Sequence, residues 1–291
     1  MRFDIRYRTA FTYDDPVVES SNELRAAPAS DARQHVLHYD VRTTPSSRLV
    51  SYVDYWGTRV DAFGVRLPHS SLEVIAEASV ETRPTNVIAA SPTFEDMASP
   101  AFRDRHLEFL ERSAHVDWGP DITAAAEDKR GEHGDDVIGT VLALHRLVAN
   151  RCTYTPGATY VGVEVDDVFA EQQGVCQDFA HLLVALCRSI GVPARYVSGY
   201  FFAYDESGAD PAEDELEVQT HAWAEVAIPG GGWLGLDPTN RQEVGVRHIK
   251  IGHGRDYDDV APLRGVYTGP SEHELDVTVQ MRRSAQEQQQ Q

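Results

Sequence analysis

The segment that most constrains this chain is residues 174–181 (GVCQDFAH), which place a cysteine where a buried helix begins. The apolar residues that follow at helical spacing are Phe179, Leu182, Leu183, Leu186 and Ile190. Gly191 and Pro193 come directly after them, as is typical of a helix end. At a helix start, unpaired backbone amides and the helix dipole favour the thiolate form of cysteine. The pattern therefore predicts a reactive thiol at Cys176.

Two later segments carry the partners that a reactive thiol needs. Residues 220–226 (THAWAEV) have the pattern of a strand and contain His221. After a turn of three glycines, residues 233–240 (WLGLDPTN) form a second predicted strand that ends on Asp237. A cysteine on a helix start, a histidine on one strand and an aspartate on the next match the nucleophile, base and orienting acid of thiol hydrolases. Cys176, His221 and Asp237 are therefore the candidate catalytic residues.

These segments resemble the bacterial branch of the transglutaminase-like superfamily, whose members have a papain-like core and are often described as candidate cysteine proteases. The similar blocks occur in the family's order and are GVCQDFAHL, ARYVSGY, HAWAEV, WLGLDPTN and GRDYDDVAP. The resemblance extends from about residue 152 to about residue 269, and residues 1–84 are similar to the small β domain that precedes the core. By position, the resemblance assigns Cys176 as nucleophile, His221 as base and Asp237 as orienting acid.

The resemblance and the residue pattern together predict an α+β fold. Its core is expected to be papain-like, with the cysteine-bearing helix packed on an antiparallel sheet or barrel that carries the histidine and the aspartate. Short alternating runs predict an antiparallel β domain at 1–84, and Pro, Ser and Asn predict a linker at 85–100. The catalytic domain is expected at 101–282 and a disordered polar tail at 283–291. The β domain is expected to have its own core, although it could instead pack on the catalytic core and shape the cleft.

Several residues near the triad are better explained by packing or capping than by chemistry. Cys152 and Cys187 fit buried positions on helices. His181 lies on a different helical face from Cys176, so we expect a packed or hydrogen-bonded histidine. Asp178, in the first helical turn, is expected to cap backbone amides, because a carboxylate so close to the thiol would oppose thiolate formation unless it points away.

The tetrahedral intermediate of acyl transfer requires donors for its oxyanion. The backbone N–H of Cys176, at the helix start, is the first candidate. Gln173 is a second, weaker candidate, because a solvent-exposed glutamine describes that position equally well. Trp223 and Trp233 could line the cleft, but packing of the sheet is the favoured interpretation.

Two charged clusters have no clear catalytic role in the sequence. The acidic segment 205–217 contains no lysine or arginine and is expected to be a solvated loop, with a rim for cationic or amine-bearing substrates as the alternative. The second cluster matches no standard zinc or calcium spacing, so we expect no metal and no cofactor. Its residues are His248, His253, Asp256, Asp258 and Asp259.

Charge and composition narrow the partners. The chain has 26 basic and 46 acidic residues among 291, a formal net charge of −20, which argues against binding nucleic acid or anionic membranes. Its 3 cysteines do not form a disulfide framework. Residues 1–7 alternate like a strand, and no apolar run is long enough to span a membrane. These features predict a cytoplasmic protein, and the candidate triad predicts that its partner is a peptide or protein substrate.

The predicted function is thiol-dependent acyl transfer on amide bonds, most simply as a cysteine protease or amidase. The same triad can pass the acyl group to water or to an amine, so a protein-glutamine transamidase is an alternative. A catalytically idle papain-like interaction module is the alternative from another class. The sequence does not discriminate among substrates or oligomeric states.

Overall fold

The computed structural model describes residues 1–84, 91–203, 215–269 and 272–284. Its strands are β1 (Arg2–Val17), β2 (Glu19–Leu24), β3 (Gln34–Thr44), β4 (Val50–Val53), β5 (Arg59–Val65), β6 (His69–Thr82), β7 (Thr153–Tyr154), β8 (Gln173–Gly174), β9 (Ala194–Phe201), β10 (Glu215–Val218), β11 (Thr220–Ile228), β12 (Gly232–Asp237), β13 (Gln242–Glu243), β14 (His248–Gly254), β15 (Leu263–Thr268) and β16 (His273–Ser284). Its helices are α1 (Phe94–Ala98), α2 (Pro100–Arg105), α3 (Pro120–His133), α4 (Val137–Arg151), α5 (Val165–Glu171), α6 (Cys176–Ser189) and α7 (Tyr257–Val260), with a 3₁₀ turn at Leu107–Phe109.

Parts of three predicted segments lie outside the described residues: 85–90 of the linker, 205–214 of the acidic segment and 285–291 of the tail. The described remainder of the linker contains a helix, α1. The Thr93 hydroxyl accepts a hydrogen bond from the Asp96 N–H, and the Asp96 carboxylate accepts one from the Thr93 N–H. This reciprocal cap starts the helix. Phe94 and Met97 then bury themselves in the core of the catalytic region.

The part of the chain predicted to be catalytic, called the catalytic region below, is a helical layer packed on an antiparallel sheet of order β13-β12-β11-β9-β14, called the catalytic sheet below. The apolar spacing of α6 supplies one wall of the core, and every residue from 178 to 188 is buried. Facing residues of β11 and β12, such as Val226 and Leu236, complete that core. The helix that begins at Cys176 therefore packs on the sheet that carries His221 and Asp237, which is the arrangement that the sequence predicted.

Residues 1–84 form antiparallel sheets, as predicted, but these sheets also contain strands from the other end of the chain. Their orders are β10-β16-β1-β6-β3 and β15-β2-β5-β4. β16 pairs with β1 from Arg2↔Ser284 to Tyr13↔His273, and β15 pairs with β2. Residues 263–282 were predicted to belong to the catalytic domain, and residues 283–284, which end β16, to the polar tail. Long-range pairing instead places them in the N-terminal sheets.

The β region has an apolar core that also includes residues of the catalytic sheet. Its inner face comes from alternate residues of β6, such as Leu72 and Val80. The same cluster of buried side chains continues into the catalytic sheet through β9, β14 and the residue after β9, with Tyr200, Phe202, Ile249 and Ile251. The two regions thus share one apolar layer.

Polar contacts reinforce this junction at Glu225, which lies on β11 and has no solvent exposure. Its carboxylate accepts hydrogen bonds from Arg33 (2.8 Å), Arg195 (2.6 Å) and Lys250 (2.6 Å). Arg33 comes from the β region, whereas the other two lie on β9 and β14. Burial raises the pKa of Glu225, but these three cations outweigh it and hold the pKa well below its ordinary value. The carboxylate therefore stays ionised at the junction.

Among the described residues, the helices are too short or too polar to span a membrane.

Candidate active site

Cys176 is the first residue of α6, and its side chain is partly exposed. Its sulfur lies 4.0 Å from the carbonyl oxygen of Thr220, the residue before His221. The helix start is capped by Asp178, whose Oδ2 accepts from the Val175 N–H (2.8 Å) and from the Thr159 hydroxyl (2.6 Å). Asp178 therefore caps the helix start, as the sequence predicted.

His221 lies on β11 between Cys176 and Asp237. Its Nε2 donates to Asp237 Oδ2 at 2.7 Å, and the imidazole also interacts with the Cys176 side chain. Because Nε2 faces the aspartate, Nδ1 is the nitrogen left for the sulfur. Burial lowers the pKa of His221, but its hydrogen bonds to Asp237 and Cys176 outweigh burial and raise the pKa to about 10. The site therefore favours a protonated imidazole beside the thiol.

Asp237 ends β12 and has no solvent exposure. Its Oδ2 accepts from His221 Nε2 (2.7 Å), His248 Nε2 (3.0 Å) and Asn240 Nδ2 (2.7 Å), and its Oδ1 accepts from the Asn240 N–H (3.0 Å). Burial raises the pKa of this carboxyl, but the hydrogen bonds from His221 and His248 outweigh it and leave the pKa far below its ordinary value. Asp237 is therefore a fixed negative charge behind His221.

Two histidines that sequence reasoning did not assign to the site hold Asp237 in place. His248, at the start of β14, donates to its carboxylate, and His145, on α4, donates from Nε2 to its backbone carbonyl at 3.0 Å. Both are buried. His145 lies in a mostly apolar stretch, and His248 was considered only as a member of the second charged cluster. The sequence spacing of these two histidines from Asp237 does not indicate a contact, so the contacts could not be predicted from the sequence.

The secondary candidates are placed as follows. Gln173 Nε2 lies 3.4 Å from Glu171 Oε2, at an exposed position, so its amide is directed at that carboxylate. Trp223 is buried against Val197 and Val244. Trp233 packs under the guanidinium of Arg195, 3.6 Å from the ring centroid. Both tryptophans pack, which confirms the favoured interpretation.

His181 is a buried structural histidine, as predicted. Its Nε2 accepts from the Tyr257 N–H at 3.1 Å, and its ring stacks on that of His115. Burial first, and then the neighbouring His115 and Arg188, lower the pKa of His181 well below its ordinary value. A neutral histidine held in this way has no free acceptor to serve as a second base.

The close packing of the triad's sheet leaves no room for a side chain at Gly199, which pairs with His221 across β9 and β11. A Cβ there would lie 2.3 Å from the Ile249 carbonyl oxygen and 2.5 Å from the Trp223 ring. Glycine therefore allows the indole of Trp223, which lies on the same strand as His221, to pack directly against β9.

His221, Asp237 and His248 bring potential metal-binding atoms within 4.8 Å of one another. The arrangement does not suit a metal, because His248 Nδ1 accepts from the Gly245 N–H at 3.1 Å. A backbone amide only donates, so the proton of neutral His248 must lie on Nε2, the atom that a metal would need. Of the acidic residues in the predicted cluster, Asp256 accepts from the His115 N–H and Asp259 from Arg255.

A helix-borne thiol facing a buried histidine and aspartate on an antiparallel sheet defines a papain-like fold. Residues 123–238 match the transglutaminase-like superfamily core, and residues 3–81 match the bacterial transglutaminase-like N-terminal region. An uncharacterized protein of Mycobacterium leprae is 37% identical over 284 residues, which cover 98% of this chain and 99% of the relative. The chain belongs to the transglutaminase-like superfamily.

Two further similar proteins have names that indicate an activity. The solved structure of a candidate cysteine protease from Cytophaga hutchinsonii matches with a TM-score of 0.74 at 24% identity, over 96% of this chain and 90% of the other. This likeness confirms the predicted α+β, papain-like fold class. A protein-glutamine gamma-glutamyltransferase of Pseudomonas aeruginosa is 28% identical over 248 residues, which cover 78% of this chain and 35% of that protein.

Proposed function

We propose that this protein is a thiol-dependent acyl-transfer enzyme that attacks amide bonds, with Cys176 as nucleophile, His221 as general base and acid, and Asp237 as orienting acid. The observation that carries the proposal is the placement of the helix-start Cys176 side chain beside His221, whose Nε2 donates to the buried Asp237 carboxylate at 2.7 Å. A buried acid that holds a histidine with a strongly raised pKa beside a helix-start thiol is an arrangement suited to forming a thiolate–imidazolium pair.

The proposed reaction begins when His221 holds the proton of the Cys176 thiol. The thiolate adds to the amide carbonyl carbon, and the negative charge moves to the carbonyl oxygen, near the Cys176 backbone N–H at the helix start. His221 then delivers its proton to the amide nitrogen as the carbon–nitrogen bond breaks and the amine leaves. The remaining thioester is attacked by water, which loses a proton to His221, and the acid product departs as the thiol reforms.

Hydrolysis is the preferred outcome because water is always available as acceptor. Transamidation is the second candidate, and the likeness to the Pseudomonas aeruginosa gamma-glutamyltransferase favours it. In that reaction an amine replaces water at the thioester and His221 takes the amine's proton. The third alternative is an idle binding module. The four hydrogen bonds on Asp237 argue against it, since burying an ionised carboxylate is costly and binding alone gives no reason to retain it.

The chemistry can be tested without a known substrate by labelling with iodoacetamide at about pH 6, where an ordinary thiol is almost fully protonated. We expect one label per chain, at Cys176, and its loss in His221→Ala. Cys152 and Cys187 are internal controls, because burial raises the pKa of these thiols to about 11 and about 12. If Cys176 reacts no faster than a free thiol, the proposed function is wrong.

Substrate and acceptor need a second experiment. A peptide library would be incubated with the protein and with an added primary amine, and the products would be analysed by mass spectrometry. Cleaved peptides identify a hydrolase, whereas glutamine side chains that gain the amine identify a transamidase. Cys176→Ala serves as the blank. A peptide or protein substrate and a cytoplasmic location are part of the proposal.

A further inference from the structure

Asp237 Oδ2 accepts from two histidines whose remaining contacts differ in kind. His221 Nε2 lies 2.7 Å from Oδ2, and His248 Nε2 lies 3.0 Å from it. The rest of the His221 ring reaches the Cys176 side chain, which can give or take a proton. The Nδ1 of His248 instead faces the Gly245 backbone N–H at 3.1 Å, and a backbone amide can only donate.

This difference fixes the protonation of His248. Nδ1 must be an unprotonated acceptor, so the single proton of the neutral ring lies on Nε2 and points at Asp237. A second proton on Nδ1 would face the Gly245 N–H, donor against donor. Burial agrees with this assignment, because it lowers the pKa of His248. His248 therefore donates to Asp237 without carrying a charge of its own.

We propose that His248 is a positioning residue, which holds the Asp237 carboxylate ionised and aimed at His221 so that the full negative charge supports the imidazolium of the thiolate pair. The inference rests on the proposed function and deepens it. Had His248 been cationic, it would compete with His221 for the same charge. As a neutral donor, it fixes the orientation of Oδ2 and leaves the charge to His221.

The other groups around this contact are compatible with that role. Cys176 faces His221 from α6, and His145 donates from α4 to the Asp237 carbonyl oxygen rather than to the carboxylate. Arg247, beside His248 in sequence, also disfavours a charged His248 ring. Phe201 and Trp223 pack on the His248 ring, with centroids 4.6 Å and 5.3 Å away.

The test compares two substitutions that separate the ring from its hydrogen bond. His248→Phe keeps an aromatic ring against Phe201 and Trp223 but removes the donor to Asp237. His248→Gln keeps a donor at the position of Nε2. His253→Phe is the matched control, because His253 lies on the same strand and packs near Phe109, away from Asp237. The readout is the iodoacetamide labelling rate of Cys176 against pH, which needs no substrate.

We expect His248→Phe to lower the labelling rate at about pH 6 by about tenfold, roughly the effect of one hydrogen bond to a charged group. The rate would recover as the pH is raised by about one to two units, well before pH about 8.5, where an ordinary thiol ionises. His248→Gln and His253→Phe are expected to keep the wild-type profile. A folded His248→Phe protein with the wild-type profile would overturn the inference. So would an equal shift in His248→Phe and His248→Gln, because the ring alone would then be responsible.

A second measurement covers the case in which His248→Phe does not fold. The ¹⁵N signals of the His248 ring in the wild-type protein, identified by their change in His248→Gln, are expected to show a neutral ring with the proton on Nε2 over about pH 5–8. A proton on Nδ1 or a doubly protonated ring would contradict the inference. If wild-type Cys176 is not activated, the proposed function fails. If it is activated but indifferent to His248, only this inference fails.

Discussion

Replacing Asp237 by asparagine tests the central electrostatic argument, because it changes one atom and keeps the shape of the side chain. All four contacts to the carboxylate come from donors: His221, His248, and the side chain and backbone of Asn240. Three of them meet at Oδ2. The amide nitrogen would therefore take the Oδ1 position, where it opposes only the Asn240 N–H. The remaining oxygen would keep its three donors but lose its charge.

The cost to stability follows from those contacts. One buried donor is left opposed by another donor, which costs about 1–3 kcal/mol. Three charge-assisted hydrogen bonds become neutral ones, each weaker by about 1 kcal/mol. The contributions are not additive, and breaking a buried charged pair typically costs about 3–5 kcal/mol. We expect Asp237→Asn to lower the free energy of unfolding by that amount at neutral pH.

The cost to thiol activation can be worked out in the same way. Two unit charges about 4 Å apart near a protein surface attract by about 4 kcal/mol, so losing the Asp237 charge would reduce the thiolate–imidazolium population up to about 1,000-fold. The labelling rate cannot fall that far. An ordinary thiol with a pKa of about 8.5 is still about 0.3% ionised at pH about 6, which sets a floor about 300-fold below a fully ionised thiol. We therefore expect a loss of about 100-fold.

The assay pairs iodoacetamide labelling at about pH 6 with urea unfolding. Asp61→Asn is the matched control: Asp61 is also buried, accepts from Tyr39 and Ser51, and lies on β5, away from the triad. We expect this control to lose stability and to keep Cys176 reactive. An Asp237→Asn protein that labels at the wild-type rate would refute the reasoning, because the buried charge would then contribute nothing to the imidazolium.

Three further predictions follow from the same structure. Cys176→Ala is expected to remove the labelled site with little loss of stability, whereas the fully buried Cys187→Ala is expected to cost about 1–2 kcal/mol and leave labelling intact, as urea unfolding and mass spectrometry would show. Because the pKa of His221 in the folded protein is raised to about 10, its stabilising contribution is full below about pH 6.5 and is lost as the pH rises through 10. The free energies of unfolding of the wild type and of His221→Ala, measured against pH, should therefore converge at high pH. A fragment of residues 101–291 leaves β15 and β16 without their partners β2 and β1, so we expect it to aggregate, which size-exclusion chromatography would detect; a soluble fragment with a reactive Cys176 would show that the N-terminal sheets are dispensable.

The sequence predicted those parts of the site that depend on local residue patterns. The apolar spacing after Cys176 and the glycine and proline that stop the helix predict α6, and the alternating runs around His221 and Asp237 predict β11 and β12. These three elements carry Cys176, His221 and Asp237, respectively. The order of the motifs indicated the family resemblance, and the resemblance then assigned a role to each of the three residues.

What could not be predicted depends on long-range pairing. His248 meets Asp237 only because β14 pairs with β9 on the far side of β11 from β12, and no periodicity encodes that order. The same limit explains the domain boundary. β16 alternates as an ordinary strand would, and its pairing with β1 joins residues from 260 positions apart (Tyr13↔His273) to 282 positions apart (Arg2↔Ser284). A division of the chain by sequence position alone therefore misplaces such strands.

The shared junction gives the β region a direct bearing on the site. β14 is an edge strand of the catalytic sheet. Residues 29–34, called the N-terminal segment below, cover its open side without pairing with it as a strand. The Gln34 side chain accepts from the Lys250 N–H (2.8 Å) and donates to the Lys250 carbonyl (2.7 Å), while the Ala29 N–H donates to the same carbonyl (2.8 Å). These bonds satisfy the strand edge two residues from His248. The N-terminal segment thus helps to fix the strand that holds Asp237, and through Asp237 the imidazole beside Cys176.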